Sequence, residues 1–177
     1  TLMAIVHREV QRLNVLIGDL LDYANPRPPQ LVDFDLGVMV EETLQVARRE
    51  PAFASVEMAF SVDRPLPLHA DPAKLRQVLW NLLRNAADAA ALGGHHLRVD
   101  ARREPDATTL VVADDGPGIP ADQLTRIFDP FFTTKTKGTG LGLATCHAIV
   151  AEHGGHIDAA SEPGKGTRMT VSLPREP

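Results

Sequence analysis

Gly138, Gly140 and Gly142 stand at alternate positions and lead into Leu143, Ala144, Ile149 and Val150, an apolar pattern of helical period. Glycine lets a backbone lie close to an anion, and the N–H groups of a helix's first turn, aided by its dipole, point at negative charge. The chemistry on offer is the cradling of a polyphosphate. A glycine-rich turn before a helix is a weak signal alone, and two further groups strengthen it. Asp114 ends the strand-like run from Thr109 and breaks into Gly116, Pro117 and Gly118, as a strand entering a turn does. Asn81, Asn85 and Asp88 recur at i, i+4 and i+7 in a segment opening on Asp71 and Pro72, an N-cap followed by a first-turn proline. They make one polar face on an otherwise apolar helix.

Together these segments resemble the ATP-binding catalytic domain of sensor histidine kinases, within the wider ATPase superfamily that includes gyrase, Hsp90 and MutL. Asn81-Leu-Leu-Arg-Asn85-Ala is similar to the N-box, Asp114-Asp-Gly116-Pro-Gly118 to the G1 box and Phe128-Asp-Pro-Phe131-Phe132 to the F-box. Gly138-Thr139-Gly140-Leu141-Gly142-Leu is similar to the G2 box, and Gly164-Lys-Gly166-Thr167 to the G3 segment. The order and spacing of all five make the resemblance far more specific than any one box.

The resemblance implies roles that the residue types can fill. Asp114, acceptor-only when ionised, suits the exocyclic amine of adenine and disfavours guanine, which presents a carbonyl there. Gly116 and Gly118 let the backbone lie against the base. Asn85 offers a neutral oxygen to Mg²⁺, a hard ion that bridges phosphate oxygens. Asn81 occupies the place where gyrase and MutL relatives carry a water-activating Glu, and an amide cannot act as a general base, so ATP is expected to be held for transfer. Residues 129–139 correspond to the ATP lid, with Phe128, Phe131 and Phe132 as apolar anchors and Lys135 as the cation nearest the γ-phosphate. Gly138, Thr139, Gly140, Leu141, Gly142 and Thr167 complete the expected ATP-binding set, with Mg²⁺ as cofactor. Asp88, also in that set, is a departure: many kinases of this family carry a basic residue there. The string NAADAA is closer to the nitrogen-regulation type, and Arg84 or the lid lysines are expected to compensate.

The first segment supplies a stem. Met3, Val6, Val10, Leu13, Ile17, Leu20 and Ala24 follow three- and four-residue steps, the seam of a packed helix, with Leu16 and Leu21 widening it. Asn25-Pro26 and Arg27-Pro-Pro then end the helix and stiffen a connector. The segment resembles the second helix of the dimerisation and histidine-phosphotransfer hairpin, two copies of which form a four-helix bundle. The expected domains are therefore residues 1–25 as half of that hairpin, 26–30 as linker and 31–177 as the catalytic domain. His7 is followed by Arg-Glu-Val and no Pro, unlike the family's acceptor motif, so the phosphoacceptor His is expected outside the chain, before Thr1. Autophosphorylation of the fragment alone is not expected. The implied partners are a response-regulator receiver domain and a second copy of the full protein.

Composition agrees with this. With 177 residues, 44% hydrophobic and 23% charged, the chain has the usage of a globular domain with an appendage. Eighteen Lys and Arg against 23 Asp and Glu give a net charge of −5, which argues against nucleic acid or an anionic membrane as partner. No run of eighteen apolar residues and no signal-peptide pattern occurs, so a cytoplasmic location is expected, compatible with a membrane anchor elsewhere in a longer protein. Cys146 reads as a small core residue, and the adjacent His95 and His96 as solvated loop residues. Asp115 is likewise expected to be solvated. The fold expected is an α/β (α+β) two-layer sandwich, one mixed, largely antiparallel sheet covered by helices on one face and preceded by one long bundle helix. Its strands are expected near 31–34, 56–62, 66–70, 96–103, 108–113, 156–161 and 167–173, with helices near 36–49, 71–90, 121–127 and from 142.

Overall fold

The computed structural model describes residues 27–135 and 138–175, together with residues 3, 6, 7, 10, 13, 17, 18, 20 and 21. Alternation sets the strands: along β5 (Ala107–Asp114) Thr108, Leu110 and Val112 are buried, and along β7 (Thr167–Pro174) Thr167, Met169, Val171 and Leu173 are, while the intervening residues are not. One face therefore meets the core and the other meets solvent. The full order is β1 (Val32–Asp35), α1 (Leu36–Ala47), a 3₁₀ turn (Pro51–Phe53), β2 (Glu57–Val62), β3 (Pro67–Ala70), α2 (Pro72–Gly93), β4 (His96–Arg103), β5, α3 (Ala121–Leu124), α4 (Gly142–Glu152), β6 (His156–Ser161) and β7. Five strands form the main sheet in the order β2-β4-β5-β7-β6, parallel between β2 and β4 and antiparallel elsewhere.

The mixed, largely antiparallel sheet under helices is as expected, with one difference. β1 and β3 stand apart as a two-stranded antiparallel ribbon. Asp35 ties this ribbon to a helix end: its carboxylate caps α1 at the Val38 N–H and also accepts from the Leu66 N–H at 3.3 Å.

The helices cover the inner sheet face. Met39, Val40 and Leu44 of α1, Leu75, Val78, Leu79, Leu82 and Leu83 of α2, and Cys146, Ile149 and Val150 of α4 pack on Leu97, Val99, Leu110, Val112 and Val171. Each fully buried aliphatic side chain stabilises the fold by roughly 1.5–3 kcal/mol relative to exposure. α2 is the long spine of this layer, and its N-terminus is held by Asp71, whose Oδ1 accepts from the N–H groups of Ala73 at 2.9 Å and Lys74 at 3.1 Å.

In the first segment the described residues Met3, Val6, Val10, Leu13, Ile17, Leu20 and Leu21 are helical. All are exposed, from 44% at Leu20 to 78% at Met3, so this stripe takes no part in the core. Leu16, Ala24, Asn25 and Pro26 lie outside the described residues. Among the described residues no helix is long and apolar enough to cross a membrane.

Candidate nucleotide site

The polar face of α2 supplies the floor. Asn81 Nδ2 donates to the Gly142 carbonyl at 3.4 Å, joining α2 to the start of α4 across 61 positions of sequence. One turn on, the Asn85 Oδ1 accepts from Lys135 Nζ at 2.8 Å, and the same ammonium meets Asp88 Oδ2 at 2.7 Å. The i, i+3 spacing of Asn85 and Asp88 lets two oxygens converge on one cation. Arg84 does not join them: its guanidinium lies over the Trp80 ring, 5.6 Å from the centroid, and pairs with Glu50, so the expected compensation falls to Lys135 alone among the described residues. Below this face Cys146 is fully buried, and burial pushes its thiol up to about 12, as befits an inert core residue.

The wall is the end of β5. Asp114 is half-buried, and its Oδ1 accepts from the Gly116 N–H at 2.9 Å. Burial raises its carboxyl above the usual value, with Asp115 adding to the rise, while the Gly116 and Thr167 N–H groups and the Lys135 charge oppose it. Asp115 is solvated as expected, with its side chain 42% exposed, but it is also bonded. Its Oδ1 accepts from the backbone N–H groups of His95 and His96, both at 2.8 Å, and its Oδ2 lies 2.6 Å from His96 Nδ1. Burial would raise the Asp115 carboxyl, yet those donors outweigh it and the net direction is down; His96 is raised through the same hydrogen bond and charge. Asp115 is thus the clasp of the α2–β4 turn, and His96 is exposed but paired.

One residue beside the Asp114–Thr167 pair escaped the reading from sequence. Ser161 Oγ accepts from the Ile119 N–H at 2.8 Å, donates to the Gly166 carbonyl at 2.8 Å and lies 3.0 Å from Thr167 Oγ1, so one hydroxyl holds the G1 loop to the G3 segment. Its strand-end position opposite Thr167 was the available signal, but a serine there is common enough to carry none. Gly166 has φ +83°, and an added Cβ would lie 1.9 Å from the Asp114 carbonyl oxygen, so no other residue fits that approach. Gly118 faces Glu162 in the same loop pair, where the Gly164 N–H donates to the Pro117 carbonyl at 2.7 Å.

The lid loop closes on itself through the Phe131 N–H and the Gly140 carbonyl at 2.9 Å. Gly140, at φ +70°, leaves no room for a Cβ, which would run into the Phe131 backbone carbonyl. Phe128 and Phe132 are partly buried against the core, the former 5.7 Å from the His147 ring and the latter under Arg126. Phe131 is the exception and corrects its assignment as an anchor. It is 63% exposed with φ +66°, because closing the loop on Gly140 turns its side chain outward. Thr139 Oγ1 accepts from the Leu141 N–H at 3.2 Å, Leu141 is buried, and α4 starts at Gly142 with no side chain capping its first turn. The start of α4 lies beside the polar face of α2, to which Asn81 ties it through the Gly142 carbonyl and onto which Lys135 reaches. Thr136 and Lys137 lie outside the described residues.

A sandwich that sets a half-buried carboxylate opposite a glycine-rich helix start is a nucleotide-binding architecture. The chain belongs to the histidine kinase-, DNA gyrase B- and HSP90-like ATPase family, whose profile matches residues 70–177. The sensor histidine kinase ZraS of Escherichia coli O157:H7 is 41% identical over 175 residues, 98% of this chain and 38% of that protein. The signal transduction histidine-protein kinase AtoS of Escherichia coli strain K12 is 38% identical over 177 residues, 99% of this chain and 29% of that protein. The chain thus spans well under half the length of these curated relatives. Among solved structures, full-length ShkA in complex with AMPPNP superposes with a TM-score of 0.81 at 30% identity, over 94% of this chain and 37% of that one. Histidine kinase ThkA in complex with the response regulator TrrA does so with a TM-score of 0.79 at 27% identity, over 97% of this chain and 49% of that one.

Proposed function

We propose that this chain is the ATP-binding catalytic portion of a sensor histidine kinase, passing the γ-phosphoryl group of ATP to a histidine of a helical bundle for relay to a response-regulator aspartate. The observation that carries this reading is the meeting of distant segments at one pocket: Lys135 on Asn85 at 2.8 Å and Asn81 on Gly142 at 3.4 Å, beside Asp114. Relatives named as sensor histidine kinases, one solved with AMPPNP and another with a response regulator, support the same reading.

In this reading Asp114 accepts the adenine amine, Gly116 and Gly118 face the base, and Thr167 keeps Asp114 oriented. Gly138, Thr139, Gly140, Leu141 and Gly142 present backbone N–H groups to the phosphates, and Lys135 meets the γ-phosphate. The donor set beside them suits Mg²⁺: Asn85 Oδ1 and Asp88 Oδ2 are hard oxygens already gathered around a cation, the Lys135 ammonium. Asn85 would hold the ion, with Asp88 next to it. Bound there, the ion would neutralise negative charge on the phosphates. Asn81 has no proton-abstracting power, so hydrolysis is slow relative to transfer. Residues 1–25 serve as a bundle helix for homodimerisation, 26–30 as linker, and the domain works in the cytoplasm.

The test is a calorimetric titration of this chain with ATP, with and without Mg²⁺, and with GTP as control. Magnesium-dependent binding of ATP and none of GTP is the expected result; absence of ATP binding overturns the reading.

A further inference from the structure

The strand register at the Asp114 end lines up three oxygen-bearing side chains. Asp114 of β5 pairs with Thr167 of β7, and Thr167 pairs in turn with Ser161 of β6. Directly paired residues of neighbouring strands point to one face of a sheet, here the face that carries Leu110, Val112, Val171 and Ile157 into the core. Counting hydrogens then fixes the direction of each bond. A serine hydroxyl has one hydrogen to give and two lone pairs to fill. The Gly166 carbonyl can only accept, so its bond of 2.8 Å takes the Ser161 hydrogen, and the Ile119 N–H, also at 2.8 Å, takes one lone pair. The remaining contact, 3.0 Å to Thr167 Oγ1, is therefore donated by Thr167. Thr167 is buried and its hydroxyl makes no other bond among the described residues, so its one hydrogen is spent and its oxygen is left as an acceptor. Nearby donors are spent as well: the Gly116 and Thr167 N–H groups bond Asp114, and the Gly164 N–H bonds the Pro117 carbonyl.

We propose that Ser161 helps set the base specificity of this site: by taking up the Thr167 hydroxyl hydrogen, it leaves Asp114 and Thr167 side by side as acceptors only. Such a pair suits the exocyclic amine of adenine and offers no donor to the carbonyl that guanine and hypoxanthine carry at the same position. This rests on the proposed function for the presence of a purine nucleotide beside Asp114. Ser161 touches no base; it is a positioning residue that acts through Thr167. A plain structural tie between the G1 loop and the G3 segment would support every nucleotide alike, whereas a hydroxyl whose hydrogen is fixed tells an amine from a carbonyl. Without Ser161 the Thr167 hydroxyl turns freely and gains a hydrogen to donate to the wrong base.

The experiment compares ATP with inosine triphosphate, which carries the carbonyl, by competition against a fluorescent ATP analogue in the presence of Mg²⁺. Ser161→Ala should lower the ratio of ATP affinity to inosine triphosphate affinity about two- to tenfold, the size of one hydrogen bond gained by the wrong base. Ser161→Thr, which keeps a hydroxyl, should hold the parent ratio. Adding Thr167→Val to Ser161→Ala removes the released donor but keeps the N–H that bonds Asp114, and should return the ratio to that of the parent. Equal weakening of both nucleotides in Ser161→Ala, with the ratio unmoved, overturns the proposal, as does a lowered ratio that Thr167→Val leaves in place. The hydrogen count is read separately and without nucleotide: proton NMR of the parent should show the Thr167 hydroxyl hydrogen in slow exchange, and Ser161→Ala should lose that signal. A signal that survives Ser161→Ala overturns the assigned bond. A parent that binds ATP while these variants leave the ratio unmoved retains the kinase reading and loses the role of Ser161. A parent that binds no ATP loses the kinase reading and the base specificity together, and the hydroxyl signal then still reports the Ser161–Thr167 bond.

Discussion

β5 and β7 lie side by side, and the two ends of that pair make an instructive contrast. At one end Asp114 pairs with Thr167; at the other Ala107 pairs with Pro174. The Pro174 end holds a cleft of about 660 Å³ lined by residues that include Asp33, His69, Arg103, Pro105 and Arg175. Two of its contacts join lining residues to one another: His69 pairs with Asp33 at 2.8 Å, and the Arg175 guanidinium donates to the Pro105 carbonyl at 3.0 Å. The Asp114 end offers an uncapped helix start, a half-buried carboxylate and a lysine ammonium held by Asn85 and Asp88, drawn from segments far apart in sequence. Volume alone does not make a site; converging groups that still have bonds to give do.

The contrast breaks most visibly if the Asp114 end is loosened. Gly166→Ala combines a disfavoured φ with a Cβ on the Asp114 carbonyl, and should lower stability by roughly 2–4 kcal/mol, read as a shifted urea midpoint. An unmoved midpoint would mean this end yields as readily as the cleft. Asp114→Asn should leave the circular dichroism spectrum intact and weaken ATP binding by roughly 1–3 kcal/mol in calorimetry. Undiminished affinity would remove Asp114 from the base-recognition role. Asp71→Ala, which strips the α2 cap, should cost roughly 0.5–2 kcal/mol of stability in the same urea assay, while ATP affinity changes little.

Acid titration sharpens the comparison through sign. Burial raises Asp71, but the N–H groups of Gln30, Lys74 and Ala73 outweigh it and hold its carboxyl below the ordinary 3.8. Its stabilisation is present above 3.8 and is lost as pH falls through the lowered folded value. Asp114 has the opposite sign. Raised by burial, it favours the folded state below 3.8, and that contribution fades as pH rises through its raised folded value. ATP affinity should accordingly weaken as pH falls through the Asp114 value, and carboxyl-carbon NMR titration would show the two residues displaced in opposite directions. Smallest of all, Arg175→Ala at the cleft should alter ATP affinity and stability by no more than about 0.5 kcal/mol, and a larger effect on ATP binding would give that cleft a function.

Much of this was legible along the chain because local rules dominate there. Asp71-Pro72 marked the α2 start, and the apolar period carried it to Gly93, slightly beyond the expected Ala90. β4 lies at its expected span, and β5 gained one residue at each end, where ladder bonds to β7 continue past the β-branched run. The membership of the ATPase family was equally open, since it rests on strings of neighbouring residues. What escaped was long-range pairing. Nothing in Val32–Asp35 announces Pro67–Ala70 as its strand partner in a separate ribbon. Asp115 looked idle because its partners lie 19 and 20 positions away, and Phe131 looked like an anchor because residue type does not report the backbone angle that turns it outward.

The sequence by itself therefore determined which groups are available: glycines where backbone must come close, a polar stripe on one helix, an acid at a strand end, a lysine in a loop. Period, capping and turn chemistry act within a few residues, and they place such groups on elements. Tertiary structure alone decided which of those groups meet. The Lys135 backbone bonds its neighbour Thr133, yet its ammonium goes to Asn85 and Asp88, 50 and 47 positions away. Only the packing of α2 against α4, and the closure of the lid through Gly140, brings that charge to those oxygens.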